Sequence, residues 1–115
     1  MNEDLKKVFE IANFMNSLNN QKRELFEEFN QSLFHFKDGH VFKATSEFIS
    51  FISALTSNSI NSIVLLDVNN EPYNVEDVKQ FLEDIISIYV EATNSYYYNY
   101  KKLTQSRNIE SLTIK

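Results

Sequence analysis

The sequence predicts a mainly α, α+β fold. Two long antiparallel helices, at about 3–37 and 75–107, are joined through a small β cap holding a short helix (about 45–57) and a β-hairpin (about 62–74). Three observations predict it. First, the 115 residues hold one glycine and one proline, too few for an all-β chain, which needs a turn residue every ten positions or so. Second, apolar residues keep seven-residue spacing over both ends of the chain. Third, turn chemistry is confined to the middle.

The first helix rests on two lattices. Leu5, Ala12, Phe26 and Leu33 fall on one, and Val8, Met15, Phe29 and Phe36 on the other. Ile11, Leu18 and Leu25 widen the stripe into a core-facing or partner-facing surface. Asn19 and Lys22 interrupt it. A polar residue there either fixes the register of a seam or marks a stripe drifting onto Leu18 and Leu25. Gly39, after Lys37 and Asp38, reads as the left-handed C-cap of this helix. Pairing the two helices about the cap brings Lys22 near Tyr89 and Asn19 near Ala92.

His40–Ala44 reads as a short strand. Thr45 caps a helix carrying Phe48, Ile49, Phe51, Ile52 and Leu55. Ile63-Val64-Leu65-Leu66 reads as a strand buried on both faces. Asp67-Val68-Asn69-Asn70-Glu71-Pro72 is turn chemistry, and Pro72–Asn74 returns as an edge strand. Asn74 then caps the last helix, with Glu76 and Asp77 in its first turn. Val78, Ile85 and Ala92 form one of its lattices, and Leu82, Tyr89, Tyr96 and Leu103 the other. Residues 1–115 make one helical-hairpin domain with a central α/β cap (39–74), and 108–115 is expected to fray.

The composition excludes several function classes. Without cysteine there is no disulfide framework, thiol nucleophile or zinc–thiolate site. One glycine leaves no phosphate-binding loop and no dinucleotide fingerprint. The net charge of −5 disfavours general nucleic-acid binding. That charge is uneven: residues 61–95 carry only Lys79 against seven acids, whereas 96–115 carry four basic residues against Glu110. No apolar run follows Met1-Asn2-Glu3-Asp4, so no secretory signal is expected. The longest aliphatic run, Ile63–Leu66, is far too short for a membrane span.

No candidate catalytic or metal constellation outweighs its plainer reading. Asp67, Asn69 and Glu71 occupy oxygen positions of a calcium loop, but Pro72 and Val78 stand where glycine and glutamate are needed. His35 and His40 are five apart and straddle a helix end, so they do not form a helical metal pair. His35 reads as part of the aromatic cluster Phe34–Phe36 or as a cation at the helix end. Glu27 with Glu28, and Glu83 with Asp84, are sequence neighbours that diverge on a helix and read as a solvated acidic face. The chain is therefore expected to be non-enzymatic, with no cofactor, metal or small-molecule substrate.

The candidate interaction residues are Tyr97, Tyr98, Tyr100, Lys101 and Lys102. Tyr96 continues the core lattice, while the other three tyrosines should point away beside cations. Three readings stay open: packing or oligomer contact, docking of a protein partner, and stacking of single-stranded bases with the lysines on phosphates. Ten phenylalanines and six tyrosines exceed what one two-helix seam covers. A homo-oligomer or protein partner is expected, with no membrane and with nucleic acid disfavoured.

Several motifs resemble a family of small proteins in T4-like tailed bacteriophages, of marine and cyanophage type. They are Asn20-Gln21-Lys22-Arg23, Phe26-Glu27-Glu28-Phe29-Asn30-Gln31-Ser32-Leu33, Glu47-Phe48-Ile49-Ser50-Phe51, Leu66-Asp67-Val68-Asn69-Asn70-Glu71-Pro72 and Phe81-Leu82-Glu83-Asp84-Ile85, with the Tyr/Asn-rich last helix. The resemblance implies a phage context and carries no mechanism. It suggests the host cytoplasm, or association with the virion, as the location. Within it the first expectation is a minor structural, assembly or scaffolding factor. The alternative is a small regulator docking on host or phage machinery through the acidic stretch 61–95.

Overall fold

The computed structural model describes the backbone of residues 2–114 and the side chains of residues 2–106. The tail expected to fray, 108–115, lies outside the residues described in full. The element order is α1 (Glu3–Gln31), β1 (Phe34–Lys37), β2 (His40–Lys43), α2 (Ser46–Ser57), β3 (Ile63–Leu66), β4 (Pro72–Val75) and α3 (Val78–Ile114). The fold is mainly helical α+β: two long helices pack against each other, and the strands form two antiparallel pairs, β1–β2 and β3–β4. The chain divides into two compact units, residues 1–29 with 94–115, and residues 30–93.

In the first unit, Asn2 caps α1 by accepting the Leu5 N–H on its side-chain oxygen at 2.7 Å. α1 and α3 run antiparallel. The Tyr96 ring stacks on Phe29 at 5.2 Å and lies 6.0 Å from Phe26. The Lys22 ammonium stands 5.4 Å from the Tyr100 ring centre. The register differs from the expected one, in which Lys22 meets Tyr89. It is displaced along α3 by about three turns.

α1 also ends earlier than expected. The helix stops at Gln31, not Lys37, because Phe34–Lys37 is a strand. Phe36 and Leu33 happen to fit the helical lattice, but Phe34, Phe36 and their neighbours also alternate with period two. The turn decides between the two periods. Asp38 and Gly39 both take positive φ, 49° and 81°, as a two-residue hairpin connection requires. Gly39 is therefore a hairpin residue and not a helix C-cap. Lys37 pairs with His40, and Phe34 with Lys43.

In the second unit, Thr45 caps α2, its hydroxyl accepting the Phe48 N–H at 3.1 Å. α3 starts later than expected. Its cap is Asp77, which accepts the Gln80 N–H at 3.0 Å, and not Asn74. Asn74 is instead paired with Val64 in the β3–β4 ladder. The core is Phe42, Ala44, Ile52, Leu65, Val75, Val78, Phe81 and Ile85, with Phe48, Ile49, Leu55 and Leu82 packed around it. Phe81 is fully buried, with the rings of Phe42 and Phe48 edge-on at 5.2 and 6.0 Å. β3 is buried on one face only: Leu65 points inward, while Val64 and Leu66 are exposed. A two-stranded sheet has one core to cover, so the apolar run Ile63–Leu66 does not imply burial on both faces.

Candidate functional sites

The tyrosine stretch lies on α3 in the first unit, where the helix separates its members. Tyr96 and Tyr100 belong to the seam with α1 and meet edge-on at 6.1 Å. Tyr100 still keeps an exposed edge. Tyr97 and Tyr98 stand clear of the seam, 70% and 62% exposed. Consecutive helix residues point about 100° apart, so this division is forced by geometry. Lys102 lies one turn beyond Tyr98, and its ammonium stands 5.5 Å from that ring. An exposed cation–π contact of this kind contributes about 0.5–1 kcal/mol. Lys101 is exposed. Two tyrosine rings and two lysines thus form a wet aromatic–cationic surface.

The second unit contains a polar knot that the sequence does not reveal. Asp67 begins the β3–β4 turn and is buried. Its Oδ1 accepts the Asn69 and Glu71 N–H groups at 2.8 and 2.9 Å. Its Oδ2 lies 2.7 Å from His40 Nδ1 on β2, which donates to it. The neighbouring Val68 N–H donates to the Val41 carbonyl at 2.9 Å, so the second hairpin is tied to the first by backbone as well. Burial pushes the Asp67 carboxyl up. The N–H of Glu71, the His40 ring and the N–H of Asn69 outweigh this and hold it below the ordinary carboxylate range.

The His40 ring packs on Tyr73 at 4.7 Å, and the Tyr73 hydroxyl donates to Asp38 Oδ2. That bond, then burial, raises the Tyr73 pKa. Among the described residues, His40, Asp67 and Glu71 are the one trio able to offer metal ligands, with ligand atoms within 4.8 Å of one another. Both Asp67 oxygens already accept N–H groups, so a cation there would have to displace the His40 hydrogen bond. As expected from its residues, the segment 67–71 is a hairpin turn.

His35 is five residues from His40 in sequence but meets a different partner. It lies edge-on to Phe81 at 5.6 Å. Its Nε2 is buried without a hydrogen-bond partner. Burial therefore lowers its pKa, with Lys37 adding to the effect and Asp84 opposing it. His35 is part of an aromatic cluster, as the sequence suggests, but that cluster centres on Phe81.

The acidic stretch 61–95 loses one member to the interior, since Asp67 is buried. Glu71, Glu76, Asp77, Glu83 and Glu91 remain exposed, with Lys79 among them. An open hollow of about 600 Å³ is lined by Lys37, Asp38, Tyr73, Asn74, Glu76 and Asp77, besides Pro72. Among the described residues, no helix is long and apolar enough to cross a membrane. No protein-family model, curated protein or solved structure matches the chain.

Proposed function

We propose that the protein is a non-enzymatic protein–protein interaction factor that associates with itself and serves as a minor structural, assembly or scaffolding component in a phage context. One observation carries this reading. α1 spans 29 residues and buries none of them, while Leu5, Val8, Phe9, Ile11 and Met15 lie 46–61% exposed. A contiguous apolar surface of this kind marks an interaction site. Sedimentation velocity across a concentration series tests the self-association, and a monomer at every concentration refutes it. Mass spectrometry of purified phage particles tests the structural role.

A second reading is a regulator that docks on host or phage machinery through its acidic surface. The five exposed acids around Lys79 favour it. Capture from infected cells separates the two, since virion proteins support the first reading and host enzymes the second. Single-strand binding through Tyr97, Tyr98, Tyr100, Lys101 and Lys102 ranks below both, because the chain is acidic overall. It requires an affinity that weakens steeply with salt.

A further inference from the structure

We infer that α1 pairs with α1 of a second copy, antiparallel, across the face formed by Leu5, Val8, Phe9, Ala12 and Met15. This names the surface and geometry of the self-association proposed above, and it rests on that reading.

α1 carries one broad apolar stripe, only part of which is half-buried. Leu18, Lys22, Leu25 and Phe29 are half-buried on the side turned to α3. Leu5, Val8, Phe9, Ala12 and Met15 centre about 105° away at about 3.6 residues per turn, and all five are exposed. One neighbouring helix cannot cover a stripe about 200° wide. A helix with so broad an apolar stripe belongs to a bundle of more than two helices. A two-fold pairing of α1–α3 hairpins supplies such a bundle from this chain alone.

The area fits a second copy. Leu5, Val8, Phe9 and Met15 are 46%, 61%, 51% and 46% exposed. They present on the order of 100 Å² each, hence about 400 Å² together. Non-polar atoms make up about 56–65% of an interface, so this corresponds to about 700 Å² per copy. A standard specific interface buries about 800 Å² per partner. Ala12 lies at the middle of the face, and its small side chain lets two helices approach closely at their crossing.

Charge sets the direction. Residues 11–21 carry no charge. This neutral stretch lies between Glu3 and Asp4 on one side, beyond Lys6, Lys7 and Glu10, and Lys22 and Arg23 on the other. An antiparallel pair crossing at Ala12 brings Asp4 of one copy within a turn of Arg23 of the other. It also sets Lys6 and Lys7 against the neutral stretch. A parallel pair would put Asp4 on Asp4, Lys6 on Lys6 and Arg23 on Arg23, which is repulsive.

The chain has no cysteine, so single spin labels report directly on this geometry. Full-length Glu3→Cys and Asn13→Cys are labelled, and distances between copies are measured by pulsed electron resonance. At ~1.5 Å rise per residue, antiparallel pairing about Ala12 predicts about 30 Å at position 3 and about 20 Å or less at position 13. Val8→Glu, tested alongside, should weaken self-association at least about tenfold, because a carboxylate would be buried in the contact. Val8 is exposed within the chain, so the variant should keep the wild-type circular dichroism. Equal short distances at both positions overturn the antiparallel arrangement. Self-association unchanged in Val8→Glu overturns this face while leaving self-association standing. A wild-type monomer at about 100 μM overturns both.

Discussion

Replacing Gly39 by alanine tests the reading of 34–43 as a hairpin closed by a two-residue turn. Gly39 has φ of 81°, and a Cβ placed on it meets nothing within 4 Å. No steric collision with the rest of the molecule enters, so the cost is conformational. Holding an L-residue in the left-handed region costs about 1–2 kcal/mol. The stiffer unfolded chain of the alanine variant returns about 0.4–1 kcal/mol. The expected net loss is about 1 kcal/mol. With a urea slope of about 1–3 kcal/mol/M for a chain this size, the midpoint falls by about 0.5 M, at unchanged slope. Gly39→Asn should lose less than half as much, because asparagine tolerates the left-handed region. Urea titration followed by circular dichroism and tyrosine fluorescence measures both. An unshifted alanine variant, or an asparagine variant as damaged as alanine, would rule out a left-handed turn residue at position 39.

Four further outcomes follow from the same structure. His35→Leu removes a buried nitrogen that has no partner and should stabilise the chain by about 1 kcal/mol near pH 6. Since the folded-state pKa of His35 is lowered, wild-type stability should fall as pH drops below about 6.5 towards that lower value. The variant should lose that part of the slope in urea titrations at pH 7.5 and 5.5. Asp67→Asn should lower the Tm at pH 7. The Asp67 pKa is depressed, so its contribution is present above the unfolded-state value of about 3.8 and lost as pH falls through the folded value. The Tm difference between wild type and variant should therefore shrink in acid, and the effect should be non-additive with His40→Ala. Tyr97→Ala and Tyr98→Ala should each change stability by no more than about 0.5 kcal/mol, since both rings are exposed. Phe81→Ala should cost about 3–5 kcal/mol by opening a cavity among Phe42, Phe48 and His35. Thermal melts of the three variants check both statements.

The legible parts of the fold were those where local and tertiary demands agree. Thr45 could be read as a helix cap because a hydroxyl there reaches the N–H three residues on, whatever surrounds it. The 67–71 turn was readable for a similar reason: its aspartate and asparagines favour bent backbone on their own. The stretch 34–37 misled because Leu33 and Phe36 satisfy a helical lattice while Phe34 and Phe36 satisfy a strand's alternation. Asp38-Gly39 resolves that ambiguity in favour of a hairpin, and the dipeptide itself is a hairpin signal. The candidate interaction residues were readable only as a cluster. Composition marked the tyrosines, but the register between α1 and α3 drew Tyr100 into the seam and left Tyr97 and Tyr98 clear. His40 and Asp67 are 27 residues apart. No spacing rule connects them, so their contact was invisible until both hairpins were in place.

From its sequence alone the chain shows the type of every element except β1, the two long amphipathic helices and the exclusion of thiol and phosphate-loop chemistry. These follow from periodicity and from residues that are missing, which are local properties of the chain. Only the tertiary structure decided the helix register, the single buried face of β3, the burial of Asp67 against His40 and the bare apolar face of α1. Each of these depends on which surface meets which. A periodic stripe states that a face must be covered, but the geometry of the folded chain decides which faces it covers itself and which it leaves for a partner.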